Sequence, residues 1–371
     1  MASHARDVDV RVQRRRERAL IEAAELGEIH LHVSTLAGDV LALGAHHLDP
    51  SRLAIASDPG ADHARGAPAH VRIWRRHTGG RALACGDGFL ILTLGLPHRA
   101  ALVGEQADDL RPEQVMNRCV RGLLRAFREL GIDLVYPGLD LVTLERRAVA
   151  STSFFEASSR ATLFQAIIAS ARSFAETPRL LDAIDPRGNV PATILGAGAI
   201  SIAEHLAAAS VDTLPDALEE PESFGELVAA GYAQTFGLEV LELDPAVTAT
   251  MLGDEGLAAP REGTTTPPSP AAMARDGAAG WHEATVAGRL GPVTAWVRPQ
   301  RGRIIEVVLS GDFIAPEWLA SELDRALADL PAEHAAITEA VDRVMEEPAR
   351  GYLLGLTTGE LAALITRAAC A

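Results

Sequence analysis

The chain has 371 residues and carries 34 basic against 50 acidic side chains, a formal net charge of −16. At about 150 residues per domain, this length points to two domains with a sizeable buried core, and so acidic a surface excludes a phosphate backbone as the main partner. No run approaches the ~18 apolar residues of a membrane span, the charged start lacks a secretory pattern, and three scattered cysteines suit a reducing cytoplasm.

Residues 7–28 open with Arg11, Arg14, Arg15, Arg16 and Arg18 and read as a helix with a basic start. That basic face is either simply solvated or a patch for a membrane or partner. Ile29–Val33 and Val40–Leu43 read as strands, and alternation along the first puts His30 and His32 on one face, where a metal pair lacks a third ligand. Residues 58–70 form a loop. Val71–Trp74 enters the segment 75–82, and Phe89–Leu96 is a strong strand closed by Pro97. Apolar residues at 115, 119, 120, 123, 124 and 127 predict a helix over 112–130, begun by Pro112 and stopped by Gly131. Ile132–Tyr136 and Asp140–Leu144 form a hairpin about Pro137-Gly138. Arg146–Ser153 is a strand, in which alternation turns Arg146 and Arg147 to opposite faces. Leu163–Phe174 is open between strand and helix, and 185–188 is a turn.

Residues 254–280, rich in Thr and Pro about Glu262–Pro270, read as a linker. Beyond it, Trp281–Arg289, Val293–Val297 and Arg303–Leu309 are strand-like, and Pro316–Leu327, Ile337–Met345 and Thr358–Ala369 helical. This divides the chain into domains at 1–253 and 281–371, both α+β.

The segment Arg75-Arg76-His77-Thr78-Gly79-Gly80-Arg81-Ala82 is the most informative for chemistry. Adjacent glycines let backbone amides approach a ligand, and the arginines suit phosphate or carboxylate; a Gly-Gly hairpin turn fits the same residues. Leu195–Ser201 has part of a dinucleotide-loop pattern but lacks its third glycine and a βαβ setting. Cys85 beside the glycines is either a nucleophile or a small core residue. All 34 basic residues are arginine, where roughly twenty lysines would be ordinary. Codon bias explains this, or a chemical advantage in lacking side-chain amines. Either way the chain has no P-loop lysine and no Schiff-base lysine.

The 75–82 segment resembles the Arg-Arg-x-Ser/Thr-Gly-Gly-Gly-Ala loop of lipoate–protein ligases, in the biotin/lipoate ligase superfamily, with Arg81 in place of the third glycine. Cys85–Phe89 stands where that family has His-Asp-x-Gly-Asn, keeping only the glycine. Leu139-Asp140-Leu141, then Arg146-Arg147 and Ala150-Ser151, resembles its Asn-Asp-Leu, Arg-Lys and Gly-Ser block, with Arg147 at the lysine position. Further likenesses are Leu130-Gly131-Ile132, Thr162-Leu163 after Arg160-Ala161, Leu43–His47, and, in the accessory domain, Gly302–Glu306 with Ser310–Phe313.

The resemblance implies a ligase-like catalytic domain with mixed and antiparallel sheets, plus a small α+β accessory domain. It implies an enzyme that uses ATP and Mg2+ to activate lipoic or octanoic acid as an acyl-adenylate. The acyl group then passes to a lysine of a carrier domain, the E2 of a 2-oxo acid dehydrogenase or the glycine cleavage H protein. Arg147 and Asp140 would be catalytic: Arg147 would neutralise phosphate, and Asp140 would orient nucleotide or metal. Arg75, Arg76, Thr78, Gly79, Gly80, Arg81, Ala82 and Ser151 would bind substrate or adenylate. The alternatives are a non-catalytic binding protein of the same build and a cysteine acyltransferase of the same superfamily.

Overall fold

The computed structural model describes residues 2–47, 71–106, 110–184, 198–211, 213–239, 280–346 and 352–371. The loop 58–70, the turn 185–188, residues 195–197 and linker residues 254–279 lie outside the described residues.

The helix expected over 7–28 divides into two elements. Ala2–Val8 is a strand, β1, and helix α1 spans Val10–Glu25, with the Asp9 carboxylate accepting the Arg11 N–H at its start. β1 is polar and sits at a sheet edge, so its sequence shows no apolar alternation. β2 (His30–Leu36), β3 (Asp39–Leu43) and β4 (Arg72–Arg75) follow, then β5 (Leu83–Gly86) and β6 (Phe89–Leu96). Helix α2, Pro112–Glu129, buries Val115, Met116, Cys119, Val120, Leu123, Ala126 and Phe127. It ends where Gly131 takes a φ of +73°, which glycine adopts without steric cost. β7 (Val135–Gly138), β8 (Leu141–Leu144), β9 (Arg147–Glu156) and β10 (Thr162–Ala169) complete the sheets of this part. The ambiguous 163–174 segment is therefore strand at first, then turns at Ser170. Every residue of β10 is buried on one face or the other, which is why its sequence shows neither period.

A seven-stranded sheet runs in the order β1-β2-β6-β10-β9-β8-β7, with β1 and β2 parallel and the other pairs antiparallel. A three-stranded sheet, β4-β3-β5, pairs β3 with β4 in parallel and with β5 antiparallel. Helix α3 (Thr177–Ile184) packs beside it. Helices α4 (Ile202–Ala208), α5 (Asp216–Glu219) and α6 (Pro221–Phe236) occupy a stretch where the sequence pattern announced no element. The principal core lies between the large sheet and helices α2 and α6, centred on Leu92, Phe127, Phe154, Phe164 and Phe224. The opposite sheet face is covered by α1 and the small sheet.

The C-terminal part forms an antiparallel sheet of β11 (His282–Ala287), β12 (Pro292–Gln300) and β13 (Arg303–Gly311). Helices α7 (Leu319–Leu327), α8 (His334–Met345) and α9 (Thr358–Ala369) pack on it around a separate apolar core. It also reaches into the principal core through Ile314 and Tyr352, the latter stacked on Phe154 at 5.5 Å between ring centroids. The molecule is thus α+β throughout, with mixed and antiparallel sheets.

Candidate active site

Arg75 ends strand β4 and Arg76 follows it. Arg75 is half-buried, and its Nη1 donates to the carbonyls of Ala45 (3.3 Å) and His47. Arg76 turns inward and is 2% exposed. Its Nη1 donates to Ser153 Oγ (3.3 Å) and its Nη2 to the Arg81 carbonyl (2.6 Å), while its Nε–H has no partner. Among the described residues no carboxylate lies at ion-pair distance from it. Burial lowers its pKa to about 10, a shift that Glu17, Cys85, Asp312 and Asp140 only partly oppose from further away. A buried cation surrounded by neutral acceptors is costly alone and suited to an anionic ligand.

Thr78, Gly79, Gly80, Arg81 and Ala82 are all buried. The Gly80 N–H donates to the Phe313 carbonyl (2.8 Å), and a Cβ at Gly79 would lie 2.3 Å from that same oxygen. The paired glycines therefore allow backbone-to-backbone packing against the C-terminal part. Beside this contact His46 stacks on Phe313 (4.2 Å between centroids), and His47 Nε2 meets Asp312 Oδ1 at 2.8 Å. His46 is partly buried, and desolvation, with the neighbouring His47 and Arg75, holds its pKa down to about 3.

Under the loop, Ser3, His32, Thr93, Gln165 and Ser153 stand directly opposite one another on β1, β2, β6, β10 and β9. All five are buried, so a polar row crosses the sheet. Ser3 Oγ lies 2.8 Å from His32 Nδ1. From α1 the fully buried Glu17 accepts from Gln165 Nε2 (2.8 Å), from the His77 N–H (3.1 Å) and pairs with His77 Nδ1 (2.8 Å). Thr78 Oγ1 donates to Gln165 Oε1 (3.1 Å), and Ser153 Oγ donates to Thr78 Oγ1 (2.8 Å). A continuous hydrogen-bond chain thus runs from Glu17 to the guanidinium of Arg76.

Asp140 and Arg81 come together. The Arg81 Nε and Nη2 donate to the two oxygens of Asp140 at 2.5 and 3.2 Å, in a pair that is almost fully buried. Burial pushes the Asp140 carboxyl up, against the pull of Arg81. Arg81 thus fills the space its glycine counterpart would leave open. Ser151 is buried on β9, two residues from Ser153.

Arg147 is not brought to this cluster. It is exposed at the start of β9, roughly 20 Å along the strand from Ser153, and its Nη2 donates to the Ala199 carbonyl (2.6 Å). The expected alternation with Arg146 also fails. Arg146 lies in the turn between β8 and β9, where Glu145 and Arg146 have φ of +50° and +67°. The described end of the 195–201 segment pairs with β9 at Ala148 and then caps α4 through Ser201, so it is no βαβ nucleotide loop. Cys85 is fully enclosed and burial pushes its thiol up to about 12, the opposite of an activated nucleophile. His30 and His32 have separate partners, Glu28 and Ser3, and no metal-binding group of three side chains occurs among the described residues. Glu17, Gln165 and Ser153 escaped sequence reasoning. The available signal was a polar residue interrupting an apolar strand, as Thr93 and Gln165 do.

No family model matches the sequence, and a search of curated proteins finds no similar sequence. Solved structures do match. The crystal structure of P. falciparum LipL1 in complex with lipoate aligns over 99% of both chains, with a TM-score of 0.51 and 11% identity. A bipartite lipoate protein ligase from Thermoplasma acidophilum, studied with its E2 lipoyl domain, aligns over 69% of this chain and 93% of its own, with a TM-score of 0.43 and 13% identity. Lipoate-protein ligase A bound with ATP aligns over 69% and 95%, with a TM-score of 0.44 and 13% identity. With a mixed seven-stranded sheet, a glycine-containing loop above it and an α+β C-terminal part, this chain has the fold of a lipoate–protein ligase.

Proposed function

We infer that the chain is a lipoate–protein ligase-like enzyme. With MgATP it would convert lipoate or octanoate into an acyl-adenylate, releasing pyrophosphate, and would then transfer the acyl group to the lysine amine of a small carrier domain, releasing AMP. The observation that carries this reading is Arg76: a buried guanidinium without a counter-ion among the described residues, under the Gly79-Gly80 loop, in a fold that matches a lipoate-bound protein along its whole length. Arg76 would hold the carboxylate or the phosphate that replaces its partner, and departure of the Phe313 carbonyl would free the Gly80 N–H to join it. Arg147, roughly 20 Å along β9 from Ser153 and held by the Ala199 carbonyl, would lie away from an anion bound at Arg76. Asp140 is already paired with Arg81, so Mg2+ would arrive on the nucleotide rather than on a protein site.

A second reading, a binding protein of the same fold without turnover, is favoured by the Arg81–Asp140 pair beneath the loop and by a guanidinium at the family's lysine position. Pyrophosphate release with ATP and lipoate, octanoate or biotin separates the two. Release is expected with lipoate or octanoate and is lost in Arg76→Ala. Folded protein that binds the acid but releases no pyrophosphate assigns the binding-only reading.

A further inference from the structure

Helix α1 carries Arg11, Arg14, Arg15 and Arg18 at spacings of three and four, which places them along one stripe. The other side of the same helix is its buried face, with Gln13, Glu17, Leu20 and Ala24 against the sheet. Arg11, Arg14 and Arg18 are exposed. Arg18 pairs with Glu22, whereas Arg11 and Arg14 have no acidic partner among the described residues. The nearest acid on this element, Asp9, accepts the Arg11 backbone N–H and pairs with Arg72.

This arrangement works against the helix. Its first turn holds no acidic side chain and one arginine, Arg11, with Arg14 just beyond it, and its last turn holds Glu22 and Glu25 and no base. Arg11, offset there by the Asp9 cap, and the two glutamates of the last turn oppose the helix macrodipole, and like charges at these spacings repel one another. Folding therefore disfavours the stripe, and so does the balance of the molecule, which is otherwise strongly acidic. An opposite charge brought by a partner reverses both costs.

The stripe also lies beside the candidate site. Glu17 accepts from the His77 N–H and pairs with its ring, so the helix that presents the arginines also holds the loop. His77 is the one member of the buried chain that surfaces, with 23% of its side chain exposed. The helix is only about 10 Å across, so a partner seated on the stripe stands next to that opening.

We propose that the Arg11–Arg18 face of α1 is the docking surface for an acidic protein domain that presents the acceptor lysine to the site. The acidic-partner part rests on charge alone, and the delivery of a lysine rests on the ligase reading above. A small acidic domain touches the patch without facing the rest of the chain. An anionic membrane would confront the whole acidic surface, and no exposed aromatic side chain flanks the stripe to enter a bilayer.

The test uses the full chain and a purified, unmodified E2 lipoyl domain of net negative charge. Wild type and the triple variant Arg11→Glu/Arg14→Glu/Arg18→Glu are compared for domain binding at about 20 and 300 mM salt, for pyrophosphate release, and for binding to vesicles containing phosphatidylglycerol. Wild type should bind the domain and weaken with salt. The variant should bind at least about tenfold more weakly, lose the salt dependence, stay folded at the assay temperature with a melting temperature shifted only by these surface charges, and keep its pyrophosphate release. Unchanged affinity in the variant, no domain binding by wild type, or stripe-dependent binding to vesicles alone would overturn the proposal. Stripe-dependent domain binding without pyrophosphate release would leave the docking surface standing and remove the ligase reading. Pyrophosphate release with stripe-independent docking would do the reverse.

Discussion

At the scale of single residues, the consequential pair is Arg81 with Asp140. Each is buried, and each is the other's counter-charge. Removing one partner of such a pair strands the other charge and costs about 3–5 kcal/mol. Asp140→Ala and Arg81→Gly should therefore each lower stability strongly. The double variant should be much less destabilised than the sum, by about 2 kcal/mol or more in a double-mutant cycle of urea unfolding. Additive losses would mean that the pair is not coupled. Both residues were legible as candidates, Asp140 from its Leu-Asp-Leu setting and Arg81 as a departure from a glycine. Their pairing was not legible, because the residues lie 59 positions apart and meet only through the folding of the loop over β9. Arg147 shows the converse: its position in the motif was readable, but the Ala199 carbonyl that holds it belongs to the 195–201 segment, whose glycine pattern says nothing of this contact.

Among the elements, the β8–β9 hairpin is one place where sequence and geometry disagree. Two residues, Glu145 and Arg146, connect the strands, and both have positive φ. This is the conformation that favours Asn-Gly, and for other residues it carries a penalty of about 1 kcal/mol or more per position. Glu145→Asn/Arg146→Gly should raise the urea midpoint by an equivalent of about 1 kcal/mol while leaving Arg147 in place; a lower midpoint would show that these side chains stabilise the turn. Strand β6 was readable as an apolar run closed by Pro97, and strands β8, β11, β12 and β13 and helices α2 and α9 by their periodicity and clear terminators. The 202–236 helices and β1 were not, since Ala-rich helices blur the apolar stripe and β1 buries polar side chains.

Across the whole molecule, two desolvated histidines set the response to acid. His32 and His46 both have pKa values held down to about 3 in the folded state, chiefly by desolvation. Their unfolded value is about 6.5, so below that pH the unfolded chain binds more protons than the folded one. The stability they contribute is complete above about pH 6.5 and is lost as pH falls toward 3, at about 1.4 kcal/mol per histidine per pH unit. Urea unfolding should show this loss between about pH 6.5 and 5, and His32→Gln should flatten it; an equal slope in the variant would exclude His32 as a source. His46 sits where the C-terminal part meets the loop, so acid should also loosen that contact. The proposed division at 254–280 is compatible with this contact, since Phe313 and Tyr352 tie the two parts together independently of the chain between them.

The polar row across β1, β2, β6, β10 and β9 also acts as an alignment mark. A strand that slips by one position turns its whole side-chain set over, which any half-apolar sheet resists. A slip by two keeps every side chain on its proper face, and apolar contacts alone discriminate poorly against it. Here such a slip between β6 and β10 would set Gln165 beside Ile91 or Gly95 in place of Thr93, and would leave its buried amide without that partner. The residues that furnish the floor of the candidate site thereby also select one sheet among near-equivalent competitors.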